Sequence, residues 1–176
     1  MFKRRKMQTI ILNLDLAEIV YDVQNKTYLT GKSRKEGANH EFVANMQAND
    51  DEENANQVLR SVSAAFSTLK TRLGEYLELN ATTADNGLIG MDSSFTLSLR
   101  MPSNYNLSTL DTIVASAHQY IVSMAVAEWF TITNKSDAKE YTALAETSLR
   151  IISEAVNKRR RPRRPSASTA GAEGME

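Results

Sequence analysis

The chain has 176 residues and a mass of 19.6 kDa, a size that favours one domain, and its 41% hydrophobic and 24% charged residues are those of an ordinary globular protein. It has no cysteine, which excludes disulfides and thiolate zinc sites, only two histidines (His40 and His118), too few for a multi-histidine centre, and no apolar stretch of the roughly 18–20 residues that a membrane span needs. The formal net charge is zero, yet residues 7–157 hold 11 basic and 19 acidic residues, a net of −8, and both ends are strongly positive.

Met1-Phe2-Lys3-Arg4-Arg5-Lys6 is basic like the start of a signal peptide, but Asn13 and Asp15 interrupt the apolar run behind it. A soluble, intracellularly made chain is therefore expected, with residues 1–6 as a basic N-terminal arm. Ile10, Leu12 and Leu14 alternate with Ile11 and Asn13, which predicts a strand with one buried face. Asp15 then caps a helix carrying Leu16, Ile19, Val20 and Val23 at helical spacing, with Gly31 as its stop. The β-branched residues of Ile19–Val23 leave a strand there as the alternative. Residues from about 32 to 50 are polar, without a sustained period, and read as a mobile surface loop.

Val58, Val62, Ala65, Phe66, Leu69, Leu73, Tyr76 and Leu77 step by three and four, predicting a long amphipathic helix over five turns. The acids Asp50, Asp51, Glu52 and Glu53 suit the positive end of its dipole, and lack the offsets that a calcium or magnesium loop requires. Asn80 to Asp92 reads as a loop. Phe95, Leu97, Leu99 and Met101 alternate with polar residues as a second half-buried strand stopped by Pro102. The two strands are expected to pair, because a lone strand leaves its backbone unsatisfied.

Ser108-Thr109-Leu110-Asp111 reads as a capping box opening a third helix with Ile113, Val114, Ala117, Ile121, Met124, Ala125 and Glu128 aligned. Ser136 is the expected cap of a fourth, with Tyr141, Leu144, Ala145, Leu149, Ile152, Ala155 and Val156 on its apolar face. The short link between them predicts an antiparallel helical hairpin. The expected fold is α+β and mainly helical: this hairpin, the long amphipathic helix and a small two-stranded sheet, in a single domain over residues 7–157. Its core should place Val62, Phe66, Leu69 and Leu73 against Ile121, Met124, Leu144, Leu149 and Ile152.

Chemistry is sparse. His118 has only apolar helical neighbours at Val114, Ala115, Ile121 and Val122 and reads as structural, and His40 has only Glu41 beside it. No phosphate loop, dinucleotide fingerprint or nucleophile elbow occurs, so no catalytic residue, metal ligand or cofactor is assigned and an enzyme is not expected. Trp129 either closes the core at the helical corner or, with Phe130, anchors a neighbouring subunit. Lys158, Arg159, Arg160, Arg161, Arg163 and Arg164 put six positives in seven residues, more than a helix terminus requires, and suit phosphate or an acidic protein surface. With Pro162 and Pro165 ending the helix, residues 158–176 are expected to form a projecting basic arm followed by a disordered Gly/Ala/Ser-rich tail.

The segment Tyr120–Pro165 carries a pattern of its own. Its parts are Tyr120-Ile121-Val122, Ala127-Glu128-Trp129-Phe130, Thr133-Asn134-Lys135, Ala138, Tyr141 and Arg161-Pro162-Arg163-Arg164-Pro165, with Asp22-Val23-Gln24-Asn25-Lys26-Thr27-Tyr28-Leu29-Thr30-Gly31 adding to it. It resembles neck ring proteins of tailed bacteriophages, above all those of the crAss-like phages of gut Bacteroidales. The resemblance implies a structural virion protein, made in the host cytoplasm. It implies a ring of twelve copies between the portal of the DNA-filled head and the tail. Its partners would be the portal protein and adjacent neck or tail rings, with possible DNA contact in the lumen and no membrane. The contact residues would be Lys3, Arg4, Arg5 and Lys6 with the C-terminal basic run. The competing reading is a small nucleic-acid-binding protein that grips phosphates with its Arg-rich end. Against it, a body at −8 repels a duplex except at the arms, and no helix-turn-helix, zinc-finger or RNA-binding aromatic signature is present.

Overall fold

The computed structural model describes residues 7–78 and 85–162. The expectations for Lys3, Arg4, Arg5, Lys6, Arg163, Arg164 and the tail fall outside these residues. The described part is mainly helical α+β: β1 (Met7–Asp15), α1 (Leu16–Ser33), α2 (His40–Asn45), α3 (Glu52–Arg72), β2 (Ser94–Pro102), α4 (Leu110–Thr133) and α5 (Lys135–Val156).

The alternating segments pair as their pattern requires. β1 and β2 run antiparallel, with Met7 opposite Pro102, Ile11 opposite Ser98 and Asp15 opposite Ser94. Ile10, Leu12, Leu14, Phe95, Leu97, Leu99 and Met101 are all buried on the face turned to the helices. The ring of Phe95 stacks on Phe66 of α3 with centroids 4.1 Å apart, joining sheet to helix.

α1 starts where expected: the Asp15 carboxylate accepts from the backbone N–H groups of Ala17 and Glu18 at 2.8 and 3.3 Å. It does not stop at Gly31. The helix runs on to Ser33, and Gly31 lies buried within it, where a Cβ would stand 3.2 Å from the carbonyl oxygen of Val43. Glycine here serves close helix approach. The facing element is α2, inside the region expected to be a mobile loop. That region is instead anchored: Val43, Met46 and Ala48 are buried, and the Ala48 N–H donates to the buried Thr27 hydroxyl at 3.1 Å.

α3 is the long amphipathic helix, but it ends at Arg72 rather than Leu77. The chain turns at Leu73, and Tyr76–Glu78 lies along the second edge of β2: Glu78 N–H donates to Ser98 O at 2.9 Å, and Arg100 N–H to Tyr76 O. Tyr76 and Leu77 keep a helical spacing, yet the sheet edge outcompetes another helical turn.

Two caps shift from the expected residues. Before α4, a 3-10 turn at Leu107–Thr109 is capped by Asn106, which accepts from Ser108 N–H; Thr109 makes no side-chain cap bond. At α5 the cap is Asn134, the sole residue between α4 and α5, whose side chain accepts from the backbone N–H and hydroxyl of Ser136. The expected antiparallel hairpin therefore forms about a one-residue corner.

α4 occupies the centre. Tyr120, Ile121, Val122, Ala125, Val126, Ala127, Trp129 and Phe130 bury nearly its whole circumference, as an apolar helix requires. Glu128, aligned with the core by spacing, is exposed. Val62, Phe66, Leu69, Leu73, Ile121 and Ile152 are buried as expected, and Met124 and Leu149 are half-buried. Leu144 is not core: it is 50% exposed.

Candidate interaction surfaces

The C-terminal basic run does not spring free at the end of α5. Asn106 N–H donates to Lys158 O at 3.1 Å and Arg160 N–H to Asn104 O at 2.8 Å, an antiparallel bridge centred on Tyr105 and Arg159. Arg160 Nε donates to Tyr105 O at 3.1 Å, and an Arg159 Nη1 donates to Val156 O at 2.9 Å. Tyr105 itself is fully buried, with its hydroxyl 2.7 Å from Thr109 Oγ1. The expectation of a run that projects without folding back is thus corrected for its first residues. Nor does Pro162 end the helix: α5 stops at Val156, and the residues after it bridge to Asn104–Asn106 before the proline is reached. Lys158, Arg159, Arg160 and Arg161 nevertheless remain exposed, so the clip fixes the direction in which this charge is presented.

Trp129 and Phe130 are not surface anchors. Trp129 is 8% exposed and its Nε1–H donates to Met46 O at 2.9 Å, while Phe130 is fully buried against Tyr141, with ring centroids 5.5 Å apart. Adjacent helical positions point about 100 degrees apart. Both rings find core because Trp129 is met by Met46, just past α2, and Phe130 by Tyr141 of α5. Of the two expected roles for Trp129, closing the helical corner is the one its contacts fit.

His118 has the partner that its own helix does not supply: Asp22 of α1 lies 2.8 Å from Nε2, and the two side chains are 26% and 40% exposed. Lys26, one turn on from Asp22, is half-buried; burial lowers its ammonium pKa while the Asp22 charge pulls it back up. Sequence spacing could not have found this contact between helices distant in the chain. Arg34 reaches Asp137 at the start of α5 with contacts of 2.5 and 3.3 Å, and Asn134 Nδ2 donates to the same carboxylate at 2.7 Å. These bonds satisfy a carboxylate that is almost wholly buried, and the Arg34 pKa rises above its ordinary value mainly through the hydrogen bond to Asp137. This is a structural clamp between the end of α1 and the hairpin corner.

His40 lies at the start of α2, exposed, on a concavity of about 280 Å³ shared with Tyr28, Lys32, Lys35, Val43 and Gln47. A second, amide-rich concavity of about 470 Å³ lies on the other side of α2 between Asn45, Asn49, Asn54, Gln57 and the edge of Trp129. Neither presents a nucleophile with a base and an orienting group. Among the described residues there is no group of three or more metal-ligating side chains, and no helix is long and apolar enough to cross a membrane.

No family model, curated protein or solved structure matches the chain.

Proposed function

We propose that the protein is a structural subunit of a tailed-phage neck ring, connecting the portal of a DNA-filled head to the tail. The observation that carries the reading is the clip at Asn104–Asn106. It holds the root of an arginine-rich segment on a rigid helical hairpin while leaving Lys158, Arg159, Arg160 and Arg161 in solvent. A fixed body that aims a charged arm at a neighbour is what a ring subunit needs. Each copy meets the next head-to-tail, and the ring closes at the correct rotation. The resemblance of Tyr120–Pro165 to neck ring proteins supports this role and implies twelve copies.

A body at −8 between positive ends supports protein docking over duplex binding, since the acidic surface repels DNA everywhere but at the ends. Negative-stain imaging of the purified protein, alone and mixed with a portal, tests the reading. Rings or ring-capped portals support it. Isolated monomers that shift DNA in a salt-sensitive way replace it with nucleic-acid binding through the Arg-rich arm.

A further inference from the structure

Among the described residues the sheet has one open side. Ser98 and Arg100 exchange backbone bonds with Glu78 and Tyr76, so their N–H and C=O groups point away from β1. Because these groups alternate along a strand, those of Leu97 and Leu99 point toward β1 and meet Leu12 and Ile10, the residues opposite them. The backbone groups of Met7, Thr9, Ile11 and Asn13 therefore face outward. Among the described residues none of them is hydrogen-bonded across that edge.

Natural edges are usually blunted by proline, lysine, a bulge or shortness. β1 has none of these. It is nine residues long and regular in register, and its only charge is Asp15 at the end. At its midpoint Ile11 is 64% exposed, flanked by exposed Thr9 and Asn13.

We propose that this edge pairs antiparallel with β1 of a second copy, about a two-fold axis through Ile11. The strand is self-complementary in that register. Ile11 meets Ile11, Thr9 meets Asn13 and Met7 meets Asp15. On the inner face Ile10 meets Leu12, so the buried apolar row runs on from one copy into the next. The result is one continuous sheet across two subunits, with outward Ile11 side chains as a directly opposed pair. The inference rests on the edge alone: a two-fold contact is distinct from the head-to-tail contacts that close a ring, and would join two subunits or two rings.

Sedimentation equilibrium on the full chain, with amide hydrogen exchange, tests it. The wild type is expected to dimerise, and the Thr9, Ile11 and Asn13 amides should become protected as concentration rises. Ile11→Lys places two ammonium groups face to face on an already exposed position, and should weaken the dimer at least about tenfold without unfolding the subunit. Thr9→Pro removes one outward N–H and no bond to β2, and should act in the same direction. A monomer up to millimolar concentration overturns the proposal. So does an oligomer indifferent to both substitutions, which would leave a ring built through other surfaces intact. Edge protection that arises only on adding a portal assigns the strand partner to another protein and also overturns it.

Discussion

Leu69 and Leu144 both fall on the apolar stripe of their helices, and the structure treats them oppositely. Leu69 is fully enclosed where α3 meets α4, so Leu69→Ala should cost about 2–5 kcal/mol in chemical denaturation. Leu144 sits at the rim of the α5 stripe, half in solvent, and Leu144→Ala should change stability by less than about 0.5 kcal/mol. The helical period locates a face but not its width; that depends on how far the neighbouring helix wraps around it. Asn134 is the converse case, a polar residue without an obvious role in the sequence. It caps α5 and also donates to the buried Asp137, so Asn134→Ala should lose about 0.5–2 kcal/mol and Ser136→Ala clearly less. Thermal melts of the two variants side by side decide which residue is the cap. Side-chain length and the single-residue corner select asparagine, and neither is visible in a capping pattern alone.

At the scale of elements, local periodicity made the strands, α3 and α5 readable because each has one buried face, and α4, buried nearly all round, because its apolar residues also step by three and four. α2 was not readable. Its six residues carry no period, and its position depends on two distant contacts: Gly31 admits the Val43 carbonyl, and Trp129 donates to Met46 O. The failure at the end of α3 has the same origin, since Tyr76–Glu78 is claimed by a sheet edge that only the folded chain brings near. A side chain at position 31 should therefore act on α2 rather than on α1. Gly31→Leu would press its Cβ on the Val43 carbonyl and crowd Met46 and Gln47 behind it, and should destabilise by about 1–3 kcal/mol through overpacking. Far-UV circular dichroism should stay close to wild type while Trp129 fluorescence shifts to the red as its bond to Met46 opens. An unchanged emission maximum would mean that α2 moves with α1 and that the close approach is unimportant. The surfaces were less legible than the fold. The basic run was plain in the sequence, but its clip and the His118–Asp22 pair are long-range contacts with no local signature.

For the whole molecule, the organising feature is the separation of an acidic body from its positive ends. The clip at Asn104–Asn106 gives Lys158–Arg161 a fixed exit from the hairpin, so the proposed partner would be met on that side of the subunit. Arginine outnumbers lysine five to one between residues 158 and 164, which favours forked pairing with carboxylates or phosphates over diffuse attraction. In a neck ring the target is either a groove of the adjoining ring or DNA in the lumen. The groove is the better match: a channel that must release DNA gains nothing from holding it tightly, and Arg-Pro sequence favours extended backbone that docks along a surface. Replacing Arg159, Arg160, Arg161, Arg163 and Arg164 with serine removes that charge. The described side-chain bonds lost are those to the Val156, Lys158 and Tyr105 carbonyls. The backbone bonds of the clip do not depend on those side chains, so the subunit should remain folded by circular dichroism. Its attachment to the adjoining ring should weaken, read as fewer ring-capped portals in negative stain. Normal capping with altered DNA retention or ejection would place the arm in the lumen. Normal capping with unchanged DNA behaviour would make the basic run a solvated tail, and the asymmetry of charge would then have no part in assembly.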